Sequence, residues 1–170
     1  MSTNIQTRIE GFALRFAAEK DVATIFSMIK ELAEYEKLLD RLEATEEILR
    51  ESLFQSDVVE TLIGEFKGKP IGYAIFFHNF SSFKGRLGIY IEDIYIKPEL
   101  RGKGFGEAIF TFIAKLAVER LCGRLEWACL NWNTPSIAFY KKMGAIPMDK
   151  WTVYRLTGEP LAKVASDFLG

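Results

Sequence analysis

The sequence predicts an α/β (mixed α+β) domain built on a single mixed, mainly antiparallel central sheet flanked by helices. Three observations carry this expectation. Apolar residues recur at every second position in some segments and at every third or fourth in others, so strands and helices both occur. Three strand-like segments follow one another between Val58 and Ile96 across short polar turns, which favours antiparallel pairing. Beyond them, a strand runs through a glycine-rich loop into a helix, and a strand–helix–strand alternation continues.

Taken in order, Phe12–Ala17 reads as the first strand, because Phe12, Leu14 and Phe16 alternate with smaller or charged neighbours. A helix from about Asp21 to Tyr35 follows, with Val22, Ile25, Ile29 and Leu32 on one face. Thr45 is a good N-cap for a second, short helix, and Glu46 and Glu47 in its first turn favour the helix dipole. Val58–Phe66 and Pro70–Phe80 flank Lys67-Gly68-Lys69 and form an expected hairpin. Leu87–Ile96 is the third strand of that group. If it is regular, Ile89, Ile91 and Asp93 share one face while Tyr90, Glu92 and Ile94 share the other. Glu107–Leu121 reads as a helix with Ile109, Ile113, Leu116 and Ala117 buried. Leu125–Leu130 is a short apolar strand, Pro135–Met143 a short helix with Gly144 just past its end, and Val153–Leu156 a closing strand. No linker interrupts the pattern, so residues 1–170 are expected to form one domain, with residues 1–11 as a short N-terminal extension.

Composition narrows the function. The chain has 170 residues, 49% hydrophobic and 26% charged, enough to bury a core without metals or disulfides. Its net charge of -1 argues against a nucleic-acid partner, which usually meets a basic surface. No apolar run approaches a membrane span and residues 1–10 lack a signal-peptide core, so a cytoplasmic protein with no membrane partner is expected. Two cysteines, Cys122 and Cys129, and one histidine, His78, are too few for a structural zinc site, so no metal is expected. His78 sits in an aromatic run with no G-x-S-x-G elbow anywhere and reads as a structural or surface residue.

Arg101-Gly102-Lys103-Gly104-Phe105-Gly106 is the most informative stretch. Its glycines let the backbone approach a ligand, and successive N–H groups at a helix N-terminus make an anion nest. The spacing departs from the dinucleotide fingerprint, because the third glycine arrives one residue early. It also departs from a P-loop, because Lys103 is followed by Gly104 rather than Ser or Thr.

Arg101-x-x-Gly104-x-Gly106 resembles the acetyl-CoA pyrophosphate loop of the GCN5-related N-acetyltransferases. Asn133-x-x-Ser136-x-x-Phe139-Tyr140-x-x-x-Gly144 resembles their second signature, about thirty residues further on. The likeness spans about Phe12 to Leu156, and within the superfamily the chain is most similar to the branch of spermidine/spermine N1-acetyltransferases and thialysine N-acetyltransferases. The stretches Ile29–Glu36, Tyr90–Ile96 and Trp132–Tyr140 carry that finer similarity.

The resemblance implies the fold of that superfamily and acetyl-CoA as co-substrate. The implied cofactor-binding residues are Ile94, Tyr95, Ile96, Arg101, Gly102, Lys103, Gly104, Phe105, Gly106, Glu107, Asn133, Ser136 and Tyr140. It also implies that the strand bulges near Glu92, so that main-chain groups of Ile94 and Ile96 bond the pantetheine arm like an added strand. Acetyl transfer needs an amine that loses its proton, a stabilised carbonyl oxygen and a proton or donor for the departing thiolate. By resemblance Glu92 assists deprotonation or anchors the substrate, a backbone N–H near Ile94 supports the oxyanion, and Tyr140 protonates the thiolate. Asn133 and Ser136 equally suit helix capping.

The acceptor is read from charge. Between Glu31 and Glu60 ten acidic residues face three basic ones, a segment that draws in a cation. By resemblance Tyr35, Glu36, Glu92, Asp93, Glu126, Trp127 and Asp149 line the acceptor pocket. The expected partner is therefore a small cationic amine (a diamine, polyamine or thialysine-like compound), and the family habit implies a homodimer. The alternatives are another amine (an amino acid, an aminoglycoside or a protein N-terminus) and a CoA-binding sensor without catalysis.

Overall fold

In the computed structural model, which describes residues 4–168, six strands form one sheet in sequence order. They are β1 (Ile5–Gln6), β2 (Phe12–Phe16), β3 (Val59–Phe66), β4 (Lys69–Ser81), β5 (Arg86–Ile96) and β6 (Leu125–Trp127). Pairing is antiparallel from β1 through β5 and parallel only between β5 and β6. The helices are α1 (Val22–Tyr35), α2 (Glu46–Phe54), α3 (Phe105–Glu119), α4 (Thr134–Lys142) and α5 (Gly158–Ser166). The chain divides into two compact units, Met1–Ala128, which holds the whole sheet with α1 to α3, and Cys129–Gly170.

Local chemistry explains the first unit's elements. Lys67 and Gly68 both adopt positive φ (50° and 75°), the turn whose twist matches the flanking strands, and Phe66 therefore pairs with Lys69. The Thr45 side chain accepts a hydrogen bond from the Ile48 N–H and starts α2. Each face of the sheet carries its own core, because successive side chains of a strand alternate. On one face Ile63, Tyr73, Ile75 and Tyr95 meet Ile25 and Met28 of α1 and Leu53 of α2. On the other, Phe105 of α3 stacks against Phe12 and Phe66 at centroid distances of 4.6 and 5.1 Å. Gly64 lies on that second face, where a Cβ would come within 2.9 Å of the Phe12 ring.

Arg15 fastens the chain leading into α1. Its guanidinium bonds Asp21 at 2.7 and 2.9 Å and Glu65 at 2.8 Å, all with little exposure. Asp21 also accepts from the Ala18 N–H. Against the cost of its burial, the Arg15 hydrogen bonds hold the Asp21 carboxyl below its ordinary value.

The structure differs from the sequence expectations at several points. The expected strand Val153–Leu156 is not a strand. Val153 and Tyr154 are 86% and 91% exposed, and among the described residues no strand pairs with this segment, without which alternation is only a propensity. The strand expected over Leu125–Leu130 ends at Trp127, because its partner β5 leaves regular register just beyond Ile91. Helix α3 starts at Phe105 rather than Glu107, since Gly104 at φ 83° itself forms the N-cap. β1 lies inside residues 1–11, and neither it nor α5 was anticipated. Among the described residues no helix is long and apolar enough to cross a membrane.

Candidate active site

In the first unit the site is built around an irregularity in β5. Ile91 pairs with Phe76 and Asp93 with Ile75, so Glu92 is an extra residue opposite no partner, a β-bulge. Ile91 and Asp93 therefore lie opposite neighbouring residues of β4 and take opposite faces. The regular-strand expectation that they share one is overturned. Ile91 is buried, Glu92 exposed and Asp93 partly buried. The ladder to β6 stops at the Ile91–Trp127 pair. From Asp93 to Ile96, β5 is paired with β4, and β6 no longer follows it.

Asp93 faces the α1 side. The buried Tyr73 hydroxyl donates to its Oδ2 at 3.1 Å. Burial pushes the Asp93 carboxyl up to about 6; the Tyr73 hydrogen bond opposes this, and the negative charges of Glu92 and Glu36 add to it. Burial likewise raises Glu36, the residue that closes α1. The structure thus brings together Glu36, Glu92 and Asp93 from the predicted acceptor set as electrostatic neighbours.

Tyr35, also predicted to line the acceptor pocket, meets the start of the glycine loop. Its ring lies under the Arg101 guanidinium, 4.3 Å from centroid to Cζ. Arg101 donates from Nε to the Ile96 carbonyl at 2.9 Å and also sits 5.6 Å from the Tyr95 ring centroid. Tyr95 in turn donates to Glu31 Oε2 at 2.7 Å, and Glu31 meets Lys97 at 3.5 Å.

The glycine loop leaves β5 through a short 3-10 turn, Pro98–Leu100, and enters α3. Gly102 and Gly104 have φ of 76° and 83°, a region that favours glycine, and Arg101 to Gly104 are exposed. The first N–H groups of α3 have no acceptor within the helix. An exposed backbone nest suits a pyrophosphate, and at Gly102 a Cβ would meet nothing within 4 Å, so the residues present fit the group the resemblance implies. Gly106 packs on β5, where a Cβ would touch Ile96 Cγ1 at 3.8 Å. Phe105 is buried and structural, while Glu107 is exposed in the first turn.

Glu126 and Trp127 stand further along the sheet. Glu126 pairs opposite Tyr90, accepts from Asn79 Nδ2 at 2.7 Å and is ion-paired with Arg124 at 2.8 Å. Trp127 packs edge-on against Phe110 of α3, with centroids 5.0 Å apart. Both are thus held by neighbours other than the Glu36–Asp93 group.

In the second unit, Asn133 is the N-cap of α4, and its side chain accepts from the Ser136 N–H at 3.4 Å. Tyr140 lies in the last turn of the same helix. Burial, with Cys129 as a smaller contribution, pushes its phenol up to about 12. Asp149 is exposed in the chain that follows. His78 is exposed, and Cys122 and Cys129 are partly buried. Among the described residues no group of three or more His, Cys, Asp or Glu is placed to hold a metal ion.

Sequence reasoning missed Tyr73 and Glu31. The signal for Tyr73 was present: a tyrosine within the apolar run Ile71–Phe77 must find a partner for its hydroxyl once buried. Glu31 lies four residues before Tyr35, and so on the same helix face.

The β-bulge at Glu92 lies on the strand that leads into the glycine nest at the start of α3, and comparison with known proteins identifies the family that carries this arrangement. The acetyltransferase (GNAT) family model matches residues 23–145, and the chain belongs to that family. It is an N-acetyltransferase, and enzymes of the family take their acetyl group from acetyl-CoA. A thialysine N-epsilon-acetyltransferase of Bos taurus is 37% identical over 164 residues, covering 89% of this chain and 96% of that protein. An L-ornithine N5-acetyltransferase of Arabidopsis thaliana is 30% identical, covering 89% of this chain and 86% of its own length. Among solved structures, an integron cassette protein of V. cholerae superposes with a TM-score of 0.78 at 24% identity, covering 94% of this chain and all of that one, which supports the fold.

Proposed function

We propose that the protein moves the acetyl group of acetyl-CoA to a primary amine of a small cationic acceptor of the thialysine, diamine or polyamine kind. The observation that carries this reading is Asp93, next to the β5 bulge at Glu92 on the strand that leads to the glycine nest, which feels the negative charge of both Glu92 and Glu36, the residue that closes α1. Three carboxyl groups within electrostatic reach select a cation. The names of the relatives support the same class: one is a thialysine N-epsilon-acetyltransferase and another an L-ornithine N5-acetyltransferase.

Acetyl-CoA supplies an activated thioester carbonyl. The protein's own groups do the rest. The nest from Gly102 to the first turn of α3 holds the pyrophosphate through backbone N–H groups, with Lys103 adding charge. Main-chain groups of Ile94 and Ile96, on the part of β5 that β6 does not follow, take the pantetheine arm as an added strand. A backbone N–H near Ile94 donates to the carbonyl oxygen as it gains charge. Glu92, exposed on the bulge, accepts the proton of the ammonium, directly or through water. Tyr140 keeps its proton throughout the neutral range and donates it to the leaving sulfur. Asn133 and Ser136 shape the start of the helix that carries Tyr140. In this reading residues 1–170 work as one catalytic domain in the cytoplasm, and two copies associate. The exposed apolar residues Ile146, Trp151, Val153 and Tyr154 support association.

The test is CoA-thiol release from acetyl-CoA with a panel of putrescine, spermidine, spermine, thialysine, ornithine, lysine, an aminoglycoside and a short peptide. Turnover concentrated on the diamines, polyamines, ornithine or thialysine supports the reading. Turnover only on the peptide or the aminoglycoside refutes the acceptor assignment.

A further inference from the structure

The helix bearing the acceptor carboxylate and the loop bearing the cofactor nest are joined by one side chain. Arg101 opens the loop, yet its guanidinium turns back over the Tyr35 ring, one residue before Glu36 at the end of α1. Its Nε is committed to the Ile96 carbonyl, which leaves the two terminal nitrogens as its remaining donors. The Tyr95 ring flanks the same guanidinium and is itself held by Glu31, which also meets Lys97. Tyr35 from α1 and Tyr95 and Ile96 from β5 thus hold the Arg101 guanidinium against two aromatic rings.

We propose that Tyr35 is a positioning residue of the cofactor loop: its ring holds the Arg101 guanidinium, and through it the loop, in the arrangement that receives the pyrophosphate of acetyl-CoA. The inference rests on the reading of the loop as the acetyl-CoA site, and it gives Tyr35 a task separate from any contact with the amine. A cation over an aromatic face is stabilised by the ring itself, so phenylalanine can do the same work, whereas an aliphatic side chain of similar size cannot. Because the ring acts through Arg101, its effect must vanish once Arg101 is removed.

The experiment is calorimetric titration of CoA, with no amine present, into the wild-type chain and the variants Y35F, Y35L, Y35A, R101A and Y35L/R101A. Their circular dichroism spectra and melting temperatures are recorded alongside. Y35L and Y35A are expected to bind CoA about fivefold more weakly, and Y35F to restore affinity to within about twofold. The double variant is expected to bind no more weakly than R101A alone. Wild-type affinity in Y35L, or costs that multiply in the double variant, overturns the positioning role while leaving the cofactor reading intact. Failure of the wild-type chain to bind CoA overturns the cofactor reading, and the positioning role falls with it. If Y35A does not fold, Y35L, which keeps the bulk, still decides the question.

Discussion

Asp93 offers a prediction in which stability and function pull apart. Its carboxyl titrates at about 6 against an ordinary 3.8, because burial disfavours its charge and Glu36 and Glu92 add to the repulsion, while the Tyr73 hydroxyl partly relieves it. A pKa raised on folding gives stability that is fully present below the unfolded value and lost as pH rises through the folded one. The charge on Asp93 therefore weakens the fold progressively as pH rises from about 4, with the loss nearly complete once pH passes about 6. At 1.36 kcal/mol per pKa unit the whole effect is at most about 3 kcal/mol, of which about 2 kcal/mol develops between roughly pH 4.5 and 8. Asp93→Asn removes the charge and still offers an oxygen to Tyr73. Its stability relative to wild type should rise by about 2 kcal/mol across that interval, or roughly 4–8 °C in melting temperature for a chain of this size. The assay is urea unfolding of both proteins at the two pH values, paired with the amine KM at the higher one. The variant should be more stable and bind a cationic amine more weakly, as expected where an active site keeps a charge the fold disfavours. A stability difference that does not change with pH would refute the argument.

Three further outcomes follow from single sites. Gly72→Ala places a Cβ 2.4 Å from the Tyr95 carbonyl oxygen and 2.5 Å from Ile96 Cδ1, so β5 must shift where the pantetheine arm is proposed to lie; CoA affinity should fall, and titration of CoA checks this. Arg15→Ala leaves Asp21 and Glu65 without their shared partner, and urea unfolding at pH 7 should show a loss of about 3–5 kcal/mol. Tyr140→Phe should lower kcat by about a hundredfold with unchanged CoA affinity, measured by steady-state kinetics and titration in parallel.

What the sequence made legible was local in origin. The alternation in Phe12–Phe16, the α1 stripe, the Thr45 cap and the Lys67-Gly68 turn each depend on neighbours a few residues away, and each forms where expected. The glycine loop was legible for the same reason, since its spacing is contiguous. The bulge at Glu92 was implied by resemblance, whereas periodicity alone placed Ile91 and Asp93 on one face. The slip of one residue against β4 is a property of the pair of strands. Val153–Leu156 shows the reverse case: an alternating segment that lacks a ladder stays irregular. The Arg101–Tyr35 contact spans 66 positions, 101 less 35, and no local pattern announces it.

The account stands most directly on transfer of a labelled acetyl group. Acetyl-CoA carrying 13C in the acetyl carbonyl, incubated with the protein and thialysine, should yield a new amide carbonyl resonance on the thialysine side-chain nitrogen together with free CoA. Persistence of the label on CoA with thialysine, putrescine and spermidine alike, by a protein that binds CoA, would contradict the proposed reaction and leave a CoA-binding module in its place.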